Sequence, residues 1–208
     1  FIICCGYKGY LIKEYFANYA LHCSDITFHM DTNKIELHKS ITESWKVTLV
    51  ETGKDSLTGG RILRVKDYID GTFCLTYGDG VADVNIRKII EFHHEHNKLA
   101  TLTAVQPPGR WGSLKINGNL VEKFQEKVQG DNSWINGGFF VLEPEVLELI
   151  DGDNCIWEQK PLNELANRGE LVSYKHNGFW QPMDTMRDKK KLDDLWNSNV
   201  PPWKVWND

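Results

Sequence analysis

Residues 72–83 read T-F-C-L-T-Y-G-D-G-V-A-D, and this stretch decides the fold. Thr72–Tyr77 is short, apolar, β-branched and aromatic, the composition of a strand buried inside a sheet. It stops at Gly78-Asp79-Gly80, residues that turn readily. Val84–His96 continues with helical spacing, and Leu99–Val105 is a further buried-strand run. Ligands of open α/β sheets sit outside the carboxyl ends of the strands, where Asp79 falls. A carboxylate there can hold a divalent cation, and the flanking glycines let a bulky ligand approach the backbone. The same tripeptide also serves as a plain turn.

The pattern extends in both directions. Phe1–Cys5 (F-I-I-C-C) reads as a buried strand, Gly6–Gly9 as a turn, and Lys8 to about Leu21 as a helix with Leu11, Tyr15 and Tyr19 on one stripe. Asp25–Met30 and Lys34–His38 alternate weakly around Asp31-Thr-Asn33, as a hairpin would. Trp45–Glu51 is a strand, and Gly59-Gly60 opens a helix to about Ile69. Downstream, Ser113–Ile116 and Leu120–Phe124 flank Asn117-Gly118, a strong hairpin turn. Strand character returns in Trp134–Leu142 and Leu171–Lys175, and helical character in Pro144–Ile150, Lys160–Asn167 and Thr185–Asn197. His176–Asp184 reads as a loop. Strands alternating with helices imply an α/β fold of Rossmann-like type, with a mostly parallel sheet, helices on both sides and β-hairpin insertions. With no linker or repeat visible, residues 1–208 form one expected domain, with 200–208 as an aromatic tail suited to packing or subunit contact.

Composition narrows the function classes. A net charge of −5 speaks against a broad basic footprint for nucleic acid. No apolar run approaches the ~20 residues of a membrane span, and no basic segment precedes the first apolar stretch. Cys4, Cys5, Cys23, Cys74 and Cys155 are odd in number and without C-x-x-C spacing. That is the usage of reduced thiols serving as small hydrophobes, and a cytoplasmic location fits it.

Four further stretches could carry chemistry. Gly178-Phe-Trp-Gln-Pro-Met-Asp184 places a second aspartate before a helix, as a helix cap or as a partner to Asp79 around Mg²⁺. Lys127 in Phe124-Gln-Glu-Lys is a solvated charge or a point-charge clamp on a phosphate. Asn136-Gly137-Gly138, inside an aromatic strand, marks a bulge or the close approach of a ligand. Thr58-Gly59-Gly60 at a helix start offers backbone N–H groups to an anion or a nucleobase edge, unless the helix is ordinarily capped. His93-His-Glu-His96 reads as a solvated helix flank, and Asp151-Gly-Asp153 as a helix end.

In order, F-I-I-C-C-G-Y-K-G-Y, E-T-G-x-x-S-x-T-G-G-R, T-Y-G-D-G-V-A-D, P-P-G-R-W-G, F-Q-E-K, I-N-G-G-F-F-V-L and G-F-W-Q-P-M-D-T-M-R-D-K resemble the glucose-1-phosphate cytidylyltransferases, a group of sugar-1-phosphate nucleotidyltransferases. The resemblance covers essentially the whole chain. It implies that CTP and α-D-glucose 1-phosphate give CDP-glucose and pyrophosphate with Mg²⁺, in a homo-oligomer, feeding dideoxysugar synthesis for bacterial surface polysaccharides. It implies Asp79 and Asp184 as metal carboxylates and Lys127 on the sugar phosphate. Glu126, Asn136, Gly137 and Gly112 would line the sugar pocket, with Tyr77, Thr58, Gly59 and Gly60 near the nucleotide.

Two departures stand out. The family's L-A-G-G-x-G-T-R loop and the Lys-Pro segment after it have no counterpart, so the first strand and triphosphate cradle are expected to be missing, and the chain alone inactive. Val128 also replaces the family's usual Pro after Glu-Lys. The alternatives are the same chemistry with UTP or dTTP, a nucleotide-sugar glycosyltransferase, and a non-catalytic binding subunit.

Overall fold

The computed structural model describes residues 1–39, 43–107, 113–125, 133–198 and 200–206. The chain divides into two compact units, residues 1–70 with 147–163, and residues 71–146 with 164–208.

In the first unit, β1 (Ile2–Cys5) pairs in parallel with β4 (Thr48–Glu51). Between them lie α1 (Gly9–Ala17), α2 (Tyr19–His22) and a hairpin of β2 (Asp25–His29) with β3 (Lys34–His38). The single helix expected over 8–21 is interrupted at Asn18, whose side-chain amide and backbone N–H both turn back to the Glu14 carbonyl. Its stripe is not a core stripe, since Leu11 and Tyr15 are exposed and Tyr15 packs edge-on against Phe16 and Tyr19. The expectation of a buried first strand also fails. Only Cys5 of β1 is buried, because among the described residues β4 is its one neighbour. Thr52, fully buried just past β4, ties the two strand ends together by donating from Oγ1 to the Cys5 carbonyl at 2.8 Å.

The helix α3 (Thr58–Leu63) packs on the segment 153–157. Gly60 makes this possible, since a Cβ there would lie 2.5 Å from the Asp153 carbonyl oxygen. Arg64 grips the Asp153 carboxylate with Nε at 2.7 Å and Nη2 at 2.5 Å. Trp157, wholly buried at the end of the segment, donates its backbone N–H to Thr58 Oγ1 at 2.9 Å.

The second unit is built on a four-stranded sheet in the order β11-β7-β10-β5, namely Leu171–His176, Ala100–Val105, Ile135–Leu142 and Phe73–Thr76. β11 and β7 are parallel, whereas β10 runs against both β7 and β5. The sheet is therefore mixed, which corrects the mostly parallel expectation. Buried-strand composition reports burial on both faces and is blind to strand direction. β7 is buried along nearly its whole length, as its sequence predicts. β5 is not, because it sits at the edge with Cys74 and Thr76 exposed. β8 (Ser113–Asn117) and β9 (Leu120–Gln125) form the expected hairpin, with Gly118 in the left-handed region its turn needs.

The helix α4 (Ile86–His96) is capped by the Asn85 side chain, which accepts from the Lys88 N–H at 3.0 Å. The expectation of a solvated flank holds for His94, which is exposed, and is corrected for His93, which is only 1% exposed, and for the half-buried His96. The polar atoms form one ordered chain. The Lys98 N–H donates to His96 Nδ1 at 3.0 Å, which leaves the proton of neutral His96 on Nε2, 2.7 Å from Thr101 Oγ1. Thr101 then donates to His93 Nδ1 at 2.8 Å, and His93 Nε2–H donates to Glu143 at 3.0 Å. A buried polar group is tolerated when its partners are complete, as they are here.

Burial, with His93 adding to it, holds the His96 imidazole below its ordinary value of 6.5. The unfolded chain therefore takes the proton first, so this stabilisation is full above about 6.5 and is lost as the pH falls below it. The urea midpoint is expected to be higher at pH 7.5 than at pH 5.5, with a smaller difference in His96→Gln. An equal difference in both proteins would refute this account.

The chain ends with α5 (Lys160–Asn167) leading into β11, then β12 (Trp180–Pro182) and α6 (Met186–Asn197). The aromatic tail packs within its unit, with Trp203 stacked on Trp196 and tilted against Phe179. All five cysteines are free thiols, and burial raises the pKa of Cys4, Cys5, Cys74 and Cys155. No helix among the described residues is long and apolar enough to cross a membrane.

Candidate functional site

Two stretches that read as a turn and a loop instead pair with each other. β6 (Gly80–Ala82) and β12 form an antiparallel ladder of their own, with Trp180 opposite Ala82, Gln181 opposite Val81 and Pro182 opposite Gly80. The Met183 N–H continues the pairing to the Asp79 carbonyl at 2.8 Å. Asp79 and Asp184 thus come to the same end of one ladder, although they lie far apart in the chain. Three-residue strands carry too little alternation to be read from sequence, which is why the pairing was not anticipated.

Both aspartates are exposed, and both line a cleft of about 230 Å³. Tyr77, Asn136, Gly137, Gly138 and Trp180 contribute to its walls. Asp184 does not cap α6. Thr185 does, accepting from the Asp188 N–H at 3.2 Å, while the Asp188 carboxylate accepts from the Thr185 N–H at 3.1 Å in a capping box. The Asp184 carboxylate is consequently left to the cleft. Gln181, 2% exposed, braces this end by donating to Asp188 at 3.2 Å and accepting from Lys191 Nζ at 2.6 Å.

The glycines of β10 are both a bulge and a lining. The register shifts between Asn136 and Phe140, and Gly138 has φ +80°. A Cβ on Gly138 would meet the Tyr77 ring at 2.7 Å, and one on Gly137 would meet Val105 at 2.8 Å. The bulge is held by Asn136 Oδ1, which accepts from the Gly138 N–H at 2.9 Å, and by the Trp180 indole N–H, which donates to the Gly137 carbonyl at 2.8 Å. Gly138 lies in the glycine pair that the sequence marks, whereas Trp180 carries no role in the sequence reading. The signal for Trp180 is an aromatic residue four positions before Asp184.

Among the described residues, no three His, Cys, Asp or Glu side chains gather into a metal cage. Two exposed carboxylates suit Mg²⁺ nonetheless, because that ion commonly takes one or two carboxylates and fills its shell with water and substrate phosphates. Lys127, Glu126 and Gly112 lie outside the described residues.

Thr58, Gly59 and Gly60 belong to the first unit. Thr58 Oγ1 donates to Glu158 at 2.6 Å and accepts from the Trp157 N–H at 2.9 Å. The N–H groups of Gly59 and Gly60 both point to the Cys155 carbonyl, at 2.9 and 3.4 Å. The expectation that they stand free for an anion is therefore corrected, since chain from beyond residue 150 already occupies them.

The family model for nucleotidyl transferase matches residues 11–192. The glucose-1-phosphate cytidylyltransferases of Salmonella typhimurium and Salmonella typhi are each 59% identical over 208 residues, covering 99% of this chain and 81% of theirs. Among solved structures, HddC from Yersinia pseudotuberculosis superposes with a TM-score of 0.64 at 21% identity, covering 94% of this chain and 77% of that one, a likeness of fold.

Proposed function

This chain belongs to the nucleotidyl transferase family, and on that premise we propose that it transfers the cytidylyl group of CTP to α-D-glucose 1-phosphate, releasing pyrophosphate and forming CDP-glucose. The observation that carries the reading is the sustained identity with glucose-1-phosphate cytidylyltransferases along the chain, in a molecule whose cleft bears two exposed carboxylates at one rim.

In this reaction an oxygen of the sugar phosphate attacks the α-phosphorus of CTP, and the bond to the β-phosphate oxygen breaks. No protein nucleophile is needed, so the protein contributes position and charge. Asp79 and Asp184 are the residues that would hold Mg²⁺, which when bound offsets the repulsion of two polyanions and the charge spread over the transferring group. Asn136 and Gly137 would face the sugar, together with Glu126 and Gly112. Tyr77 and Trp180 would form apolar walls that keep water from the reacting phosphate. Lys127 would meet the sugar phosphate as a point charge. Thr58, Gly59 and Gly60 would border the nucleotide as close-packed backbone, because their N–H groups are engaged.

The test is pyrophosphate release by the full-length protein with Mg²⁺ and glucose 1-phosphate, offered CTP, UTP and dTTP in parallel. Preference for CTP is expected. Turnover with UTP or dTTP instead would overturn the base assignment, and no release with any of them would overturn the reaction.

A further inference from the structure

The ladder that unites Asp79 and Asp184 is three residues long on each strand and, among the described residues, belongs to no larger sheet. A two-stranded ladder of that size is not stable in water unaided. Its register nevertheless decides the site, because a shift of one residue would send the flanking side chains to the opposite face. The end near Asp184 is braced by Gln181 and Asp188, as described above. The opposite end is closed by residues the reaction has not yet used.

His176, the last residue of β11, turns its Nε2 toward the Phe179 carbonyl at 3.2 Å. Oδ1 of Asp83 lies 2.8 Å from the same nitrogen, and the Asp83 backbone N–H donates to the same Phe179 carbonyl at 3.2 Å. The His176 side chain is 11% exposed and that of Asp83 31%. Asp83 Oδ1 has no aligned hydrogen-bond donor among the described residues, so it meets the His176 ring off the N–H axis. Gly178 makes the approach possible. A Cβ there would run into the Asp83 carboxylate and lie 2.6 Å from the His176 ring. One histidine therefore ties β11 of the four-stranded sheet to the start of β12 and to the end of β6. Neither Asp83 nor His176 lines the cleft.

We infer that Asp83 and His176 are positioning residues for the carboxylate pair: their clasp, closed over Gly178, fixes the β6–β12 register and thereby sets the affinity of Asp79 and Asp184 for a divalent cation. The inference rests on the proposed function for the identity of the cation site. Groups that orient metal-binding side chains from behind typically alter metal affinity by about 10–100-fold when removed.

The test is Mn²⁺ binding followed by electron paramagnetic resonance in the full-length protein, alongside Tm and the Mg²⁺ dependence of pyrophosphate release. His176→Leu is expected to raise the Mn²⁺ Kd and the half-saturating Mg²⁺ concentration by about tenfold or more, leaving kcat at saturating Mg²⁺ within about threefold of the unaltered protein. His176→Gln keeps an N–H for the Phe179 carbonyl and is expected to recover most of the loss. Gly178→Ala, which wedges the clasp apart without removing either partner, is expected to match His176→Leu and serves if that variant does not fold. A lowered Tm with an unchanged Mn²⁺ Kd in both His176→Leu and Gly178→Ala would overturn the inference. If the unaltered protein binds Mn²⁺, and the variants weaken it, yet no pyrophosphate is released, the proposed reaction falls while the positioning role stands.

Discussion

Asp79→Asn and Asp184→Asn are each expected to lower kcat/KM for CTP and glucose 1-phosphate by about 100-fold or more, equivalent to ~2.7 kcal/mol of lost transition-state stabilisation. Asparagine keeps the shape and removes the charge. Both side chains are exposed, and among the described residues neither makes a side-chain hydrogen bond, so Tm should stay within about 2 °C. The separation of the two readouts is the point of the experiment. A large loss of rate with an unchanged melt assigns the carboxylates to the reaction. The double variant should fare little worse than either single one, because two ligands of one ion act as a unit and their losses do not add. A loss below tenfold in either variant would remove that residue from the proposed site.

Trp157→Ala is expected to show the opposite pattern. The residue is wholly buried in the first unit, within the segment that receives α3, and its backbone N–H donates to Thr58 Oγ1. Removing a buried aromatic of this size costs ~3–5 kcal/mol, part transfer and part cavity. For a chain of this length the thermal midpoint should fall on the order of 10 °C, followed by circular dichroism. Trp157→Phe fills most of the space and should lose less than half as much. A fall of under 3 °C for the alanine variant would mean that the surrounding segment collapses into the space, and that Trp157 does not anchor it.

The sequence made β7 legible because that strand is buried on both faces, and a run of small, apolar and β-branched residues without a charge is the composition such a strand favours. The hairpin at Asn117-Gly118 was legible for a local reason, the backbone geometry that those two residues favour. Asp79 was legible as a candidate ligand because a strand delivers it. What could not be read depends on residues distant in the chain. The β6–β12 pairing has no local signature, and without it Asp184 is one more aspartate before a helix. His93 looks solvated until Thr101 and Glu143 are seen to complete its hydrogen bonds. The N–H groups of Gly59 and Gly60 look free until Cys155 arrives. One missed feature was readable, for Thr185-Met-Arg-Asp188 is a capping-box pattern that releases Asp184 from the capping role.

The antiparallel course of β10 has a consequence in time as well as in space. β10 cannot settle between β7 and β5 until the long excursion after β7 has been closed, and β11 reaches β7 only after a further stretch of chain. The β6–β12 ladder then joins Gly80 to Pro182 across everything in between. Loop closure over such spans is entropically costly, and contacts of high sequence separation form slowly. Asp79 and Asp184 are therefore expected to come together near the end of folding, when the sheet is in place. A refolding molecule would acquire its helices and its fluorescence before it could hold a divalent cation, and delayed Mn²⁺ uptake would report the completed chain.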